Sequence, residues 1–343
     1  MTVAAEVSLG RGGLSTPPLG YGAASLGNLY RALAEEEWPE IVPAAWAGGI
    51  RYFDVAPHYG LGLAEKRLGE SLRMLPRDEY IVSTKVGRLL VPQDPAGRTD
   101  IDNLFAVPAN HRRVRDYSRD GVLRSIEDSL IRLGLDRIDL VLVHDPDEHE
   151  REALDGAFPA LSELRDQGVI ASFGAGMNQT AMLARFVTET DADVMMVAGR
   201  WTLLDHSAAD ELLPLALERD VSVIAAAVFN SGILATDAPA AGDAYDYGPA
   251  GSDVVERARA IADVAHRHGS TLPEVAVQFP LRHPAVAAVV MGGASAKQAS
   301  RNSALASRRA TEALWDELRD RSLIGASALP PRGARVREGQ PVR

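Results

Sequence analysis

The feature that most constrains this chain is a repeated alternation of two patterns. Short apolar, β-branched runs recur at 18–22, 50–54, 80–84, 138–143, 169–173, 194–197, 221–226 and 286–290. Between them lie amphipathic stretches at 64–75, 121–133, 158–167, 180–188, 208–218 and 254–268. Apolar runs of that length read as buried strands, and the intervening 3.6-residue periodicity reads as helix. Strand alternating with helix requires a parallel sheet, because a parallel crossover needs a long connection. Eight such units with no break in composition predict an α/β fold, a single (β/α)8 TIM barrel over residues 1–324 with a C-terminal tail at 325–343. Ser118 or Asp120 is expected to cap the helix that runs through Ile126, with Gly134 stopping it, and Gly168 to end the preceding-strand helix at 161–167.

Two stretches depart from the short-loop pattern. Residues 86–117 carry Pro92, Pro95, Pro108 and many charges, and residues 229–253 are rich in Gly, Ala, Asp and Tyr. Both follow a strand's C-terminal end, where barrels build their sites, so long loops at the C-terminal face are expected to act as lids.

Composition removes several functions. A formal net charge of −11 opposes general binding to nucleic acid or an anionic membrane. With no cysteine there is no disulfide, thiolate metal site or cysteine nucleophile. Residues 1–13 lack a basic run followed by an apolar core, and no stretch approaches the roughly 18 apolar residues of a membrane span. The expected setting is cytoplasmic, as a monomer or homodimer acting on a small molecule, with no nucleic-acid or membrane partner.

Four polar residues stand at strand exits: Asp54 after Arg51-Tyr52-Phe53, Tyr59 five residues on, Lys85 after Ile81-Val82-Ser83-Thr84, and His144 after Leu140-Val141-Leu142-Val143. Singly, each reads as readily as a loop residue or ion-pair partner as it does as a functional group. Together, at consecutive strand ends, they are expected to meet at the barrel mouth. A phenol with an ordinary pKa near 10 exchanges protons poorly at neutral pH. An adjacent ammonium favours the phenolate, and a carboxylate can hold that ammonium, so Lys85 and Asp54 are expected to lower the pKa of Tyr59. The set lacks an obvious nucleophile and suits carbonyl–alcohol interconversion with a hydride-carrying cofactor.

These residues resemble the aldo-keto reductase superfamily. The segments Phe-Asp-Val-Ala-Pro-His-Tyr-Gly at 53–60 and Leu-Ala-Glu-Lys-Arg-Leu-Gly at 63–69 resemble its first signature, and 121–144 resembles its second. The resemblance implies Asp54, Tyr59, Lys85 and His144 as the catalytic set. It also implies Gly22, Asp54, Asn178, Phe229, Asn230, Ser231, Gly232, Gly292, Ser295, Gln298 and Asn302 as cofactor contacts. Ala294 and Gln298 align where relatives that prefer NADP carry cations, which implies NAD, with NADP possible through Lys297 or Arg301. Ala198 and Ala226 replace a glutamine and a nicotinamide-stacking aromatic, so Trp201 or Phe229 is expected to support the ring. The motifs at 58–63, 83–90, 198–204 and 229–234 are similar to the branch of bacterial L-fucose, or D-threo-aldose, 1-dehydrogenases and pyridoxal 4-dehydrogenase. That implies oxidation of a sugar or pyridoxal-like lactol, with His58, Tyr59, His144, Asp145, Trp201 and Arg200 near the substrate.

Gly20 and Gly22, Gly60 and Gly62, and Gly174 and Gly176 do not extend into a dinucleotide fingerprint, and read instead as tight turns. Two other classes bear on the same residues. The acidic run His-Asp-Pro-Asp-Glu-His-Glu at 144–150 carries metal-ligand types, but no paired histidines follow the first strand, so no metal is expected. A non-catalytic barrel subunit is opposed by the complete polar set.

Overall fold

The computed structural model describes residues 6–11 and 13–325. Eight parallel strands close into a barrel: β1 (Leu19–Gly22), β2 (Tyr52–Asp54), β3 (Ile81–Val86), β4 (Leu140–His144), β5 (Ser172–Met177), β6 (Val194–Ala198), β7 (Ser222–Ala226) and β8 (Val286–Gly292). Each strand pairs with its sequence neighbours, and β8 closes onto β1 through Val289–Leu19 and Gly292–Gly22. The expected tail at 325–343 lies, apart from Gly325, outside the described residues. Among the described residues no helix is long and apolar enough to cross a membrane.

Side-chain alternation divides the core into two layers. Tyr52, Ile81, Leu140, Leu142, Val194, Met196, Ile224, Ala288 and Val290 fill the barrel interior, while Phe53, Val82, Val141 and Val143 pack outward against the helices. The same alternation carries Asp54 inward after Tyr52, Lys85 inward after Ile81 and Ser83, and His144 inward after Leu140 and Leu142. An antiparallel hairpin, Val7–Leu9 with Leu14–Thr16, plugs the opposite end. Its Leu9 is fully buried with the interior residues, and Leu9 O accepts from Ser172 Oγ at 3.2 Å. Sequence periodicity does not disclose this plug, because its strands are three residues long.

Several boundaries differ from expectation. The fifth strand starts at Ser172, not Val169, and runs through Gly174 and Gly176 as extended chain. Gly20 and Gly22 likewise lie within β1. These pairs are therefore not turns, and their small size serves strand contact. A Cβ on Gly174 would stand 1.6 Å from Val194 O. No flexible group can yield there, so Gly174→Ala is expected to cost about 3 kcal/mol or more, seen as a lower melting temperature or lost soluble yield. Gly60 and Gly62 do form the expected tight turn, with φ of 61° and 86°.

The 161–167 helix reads as expected but extends an irregular lead-in: Phe158–Asp166 follows a π-helical turn at Ala153–Ala157. Ser118 caps the Arg119–Leu133 helix by accepting from Gly121 N, and Gly134 ends it in left-handed backbone at φ 62°. Short helices at Ile41–Ala47, Leu272–Gln278 and Glu312–Asp320 complete the outer ring.

Both long segments are structured. Residues 86–117 fold around an antiparallel hairpin, Arg88–Pro92 with His111–Arg115. Residues 229–253 form a helical turn at Asn230–Ala235 and a two-residue hairpin, Ala244–Tyr245 with Gly248–Pro249.

Candidate active site

The expected tetrad assembles. Lys85 Nζ donates to Asp54 Oδ2 at 2.8 Å, Asp54 Oδ1 at 2.9 Å, Val55 O at 3.1 Å and the Tyr59 hydroxyl at 3.2 Å. Asp54 and Lys85 come from neighbouring strands, in register at Asp54–Ser83. Tyr59 arrives from the turn beyond β2, pressed against the backbone of Gly27. A Cβ on Gly60 would stand 2.2 Å from Gly27 O, so only glycine lets the turn seat that deeply. The His144 ring stands edge-on to Tyr59 with centroids 5.9 Å apart, and His58 lies 5.7 Å from His144.

A floor beneath the tetrad was not legible in the sequence. Ser83 Oγ donates to Asp54 Oδ1 at 2.7 Å and lies 2.9 Å from the Tyr52 hydroxyl. This chain fixes the carboxylate that holds Lys85. The inward parity of Tyr52 and Ser83 was the available signal.

Charge states differ from the sequence reading at one point. Burial pushes the Tyr59 phenol up to about 12, and Lys85 offsets only part of it while Asp54 adds to it. The expectation of a lowered Tyr59 is therefore corrected: in this state desolvation outweighs the ammonium. Burial pulls Lys85 down, yet Asp54 and the phenol together hold it above its ordinary range. Burial, reinforced by Arg88, Arg113, Arg115 and Lys85, pushes His58 down to about 2. Burial and neighbouring cations hold His144 well below its ordinary value, so both imidazoles are neutral.

The remaining expected substrate residues divide. His58 lies beside Tyr59, with Nδ1 buried and unpartnered. Asp145 is at the mouth but already bonded by Arg88 Nη2. Arg200 pairs with Asp205 at 3.4 Å and Asp246 at 3.0 Å. Trp201 is corrected outright: it is 1% exposed, its ring meets Phe279, His206 and His283, and Nε1 donates to Pro280 O at 3.2 Å. It is a core residue of the outer layer, buried away from the barrel mouth.

The residues expected to hold a cofactor border the mouth on one side. Gly22 and Gly292 pair at the β1–β8 junction. Ser295 caps the Ala296–Ala304 helix, Gln298 Oε1 accepts from Ala294 N at 2.7 Å, and Asn302 Nδ2 donates to Gly292 O at 2.9 Å. Asn178 donates to Ala198 O at 3.0 Å and lines a hollow of about 320 Å³ with Gln179, Arg200 and Ser207. Phe229 is half-buried against the core, and Asn230, Ser231 and Gly232 follow in left-handed backbone. Asn230 Oδ1 is buried without a partner, an unmet acceptor of the kind a bound group satisfies. Open backbone at two strand ends, a helix N-terminus and an unmet acceptor fit a long, anionic dinucleotide.

Within the acidic run at 144–150, His149 contacts Glu152 and Glu150 pairs with Arg185. Among the described residues no group of three or more potential ligands comes together to hold a metal.

Comparison with known proteins agrees with this geometry. The profile of the Aldo/keto reductase family matches residues 18–321. The chain is 46% identical to D-threo-aldose 1-dehydrogenase of Pseudomonas sp, covering 93% of this chain and 98% of that one. It is 40% identical to pyridoxal 4-dehydrogenase of Microbacterium luteolum, over 92% and 97% of the two chains. Its fold is similar to an aldo-keto reductase from Bacillus halodurans in its holo form, with a TM-score of 0.72, 24% identity, and 96% and 99% coverage. The chain belongs to the aldo/keto reductase family. It is an oxidoreductase, and membership implies a nicotinamide cofactor.

Proposed function

We propose that the protein oxidises the anomeric carbon of an aldose in its cyclic form to the lactone, with NAD as acceptor. The observation that carries this reading is the buried Tyr59 hydroxyl, 3.2 Å from Lys85 Nζ, at the mouth of a barrel whose chain is 46% identical to a sugar dehydrogenase and 40% identical to a pyridoxal dehydrogenase. Pyridoxal, whose internal hemiacetal would give 4-pyridoxolactone, is the second reading, favoured by the 40% identical relative.

When bound, the nicotinamide supplies the two-electron acceptor for the hydride leaving the anomeric carbon. As the phenolate, whose negative charge Lys85 stabilises, Tyr59 takes the proton of the anomeric hydroxyl and becomes neutral. Asp54 keeps Lys85 aimed and charged. His144 orients the same oxygen by a hydrogen bond, and His58 offers its unpartnered nitrogen to a ring hydroxyl. Asn178 would hold the carboxamide, while Phe229 through Gly232 and the segment from Gly292 to Asn302 would hold the phosphates and adenosine.

The preference for NAD rests on the surroundings of the Ala296–Ala304 helix N-terminus. Ala294 and Gln298 bring no cation, and the neighbouring Arg31 is already paired with Glu37 at 3.1 Å. A 2′-phosphate would find no cation at those two positions, and only Lys297 and Arg301 of the same helix could supply one. Initial rates with NAD and NADP against L-fucose, D-arabinose, L-galactose and pyridoxal test both proposals. NAD is expected to be preferred by about tenfold or more in kcat/KM, with one aldose the best substrate. Preference for NADP would overturn the cofactor proposal, and no oxidation across the panel would overturn the substrate proposal.

A further inference from the structure

The hairpin beyond β3 points an arginine into the site that no reading of the tetrad requires. Gly87, with φ +99°, turns the chain out of β3, and Tyr117 packs where a Cβ would stand. Arg88, Arg113 and Arg115 then fall on one hairpin face, since Arg88 pairs across with Arg115 and Leu90 with Arg113. Arg113 is bonded to Asp100 and donates to His58 O at 2.9 Å. Arg88, 9% exposed, spends Nη2 on Asp145, and its Nε is buried without a partner.

Asp145 is fastened on every side. Its N–H donates to Gly176 O at 3.2 Å, Arg115 Nη1 donates to its carbonyl at 2.9 Å, and the Tyr117 hydroxyl lies within reach of both its carbonyl and that of His144. Its backbone is held in the left-handed region at φ 40°, which a β-carbon resists and aspartate tolerates better than most residues. This places Asp145 Oδ2 3.5 Å from His144 Nε2. A carboxylate beside one ring nitrogen favours the tautomer that carries its proton there.

We propose that Arg88 and Asp145 are a positioning pair for His144: the charge of Asp145, in contact with Nε2 but not hydrogen-bonded to it, holds the imidazole proton on that nitrogen and leaves it free to be donated to the reacting oxygen, and Arg88 keeps Asp145 from drawing a second proton onto the ring. The inference rests on the reading that His144 orients that oxygen. Neither Arg88 nor Asp145 need touch substrate. From β3 and the hairpin, His144 faces Lys85, Arg88 and Arg115, and from the turn beyond β2 it faces His58 and Tyr59. Asp145 is the anion on its own element. Removing Arg88 subtracts a cation and frees that anion, so both changes favour imidazolium.

The test is histidine-labelled NMR of the full-length protein across pH, with kcat and KM measured in parallel. Wild-type His144 is expected to be neutral with its proton on Nε2. Arg88→Met is expected to raise the His144 titration by about one pH unit or more and to add an acidic limb to kcat with little change in KM. Arg88→Lys should restore most of the wild-type profile, and Arg88→Met combined with Asp145→Asn should remove the limb. A merely structural arginine would lower the rate equally at every pH. Wild-type His144 protonated on Nδ1, or an unchanged titration in Arg88→Met, overturns the proposal. The conservative Arg88→Lys and Asp145→Asn variants decide it if the methionine variant fails to fold. The titration needs no substrate, so inertness toward every aldose would sink the substrate reading alone.

Discussion

Tyr59→Phe is expected to lose turnover by about 10²–10⁴-fold while the fold and nicotinamide binding persist. The substitution removes one oxygen from a packed ring. Phe105 lies 6.0 Å from the Tyr59 centroid and the ring packs against the apolar cluster of Leu61, Phe105 and Val107, so phenylalanine fills the same space. Lys85 keeps Asp54 and the Val55 carbonyl as partners. What is lost is the atom that exchanges the proton. The raised pKa of Tyr59, about 12, adds a signature. A neutral phenol must give up its proton before it can accept another, so oxidation by the wild type should quicken as pH rises from 7 toward 10, and reduction should not. Stopped-flow rates and fluorescence titration with the cofactor measure the two halves separately. Turnover in Tyr59→Phe within tenfold of wild type would remove Tyr59 from the mechanism.

How much of this was legible in the chain follows from the range of the interactions. The inward parity of Asp54, Lys85 and His144 is a local property, fixed by position relative to Tyr52, Ser83 and Leu142 on each strand. The turn that delivers Tyr59 is also local, since Gly60 and Gly62 mark it. The Arg88–Asp145 contact joins residues 57 apart and depends on how a hairpin leans over the mouth, which no periodicity encodes. Trp201 misled for a related reason. It stands just past β6, where a barrel builds its site, yet Phe279 and His283 from far along the chain draw it into the outer layer. The fifth strand slipped by three residues because Gly174 and Gly176 look like turn residues until the approach of Val194 is known. The fall in Tyr59 acidity was likewise a matter of burial, which charge counting alone leaves out.

Those buried imidazoles give the second large effect, a steep loss of stability in mild acid. An unfolded histidine titrates near 6.5. In the fold, burial pushes His58 down to about 2 and His206 and His283 down to about 4, and holds His144 well below its ordinary value. Above pH 6.5 these groups are neutral in both states and contribute nothing to the pH dependence. Below it the unfolded chain takes up protons that the fold refuses, so stability falls as pH falls. Each imidazole that stays uncharged costs about 1.4 kcal/mol per pH unit in that window, so His58 alone costs about 2 kcal/mol by pH 5. His206 and His283 are partly exposed and count for less. Asp145 acts in the opposite direction. Burial raises it, against Arg88, so the fold binds its proton before the unfolded chain does. One carboxyl does not offset several histidines when a domain's whole margin is about 5–15 kcal/mol. The melting temperature should therefore be flat from pH 8 to 7 and drop steeply from 6.5 to 4.5. His58→Gln should flatten the slope by the share of one histidine. An unchanged melting temperature between pH 7.5 and 5 would show that these imidazoles accept protons inside the fold, and the neutral His144 required by the mechanism would fall with it.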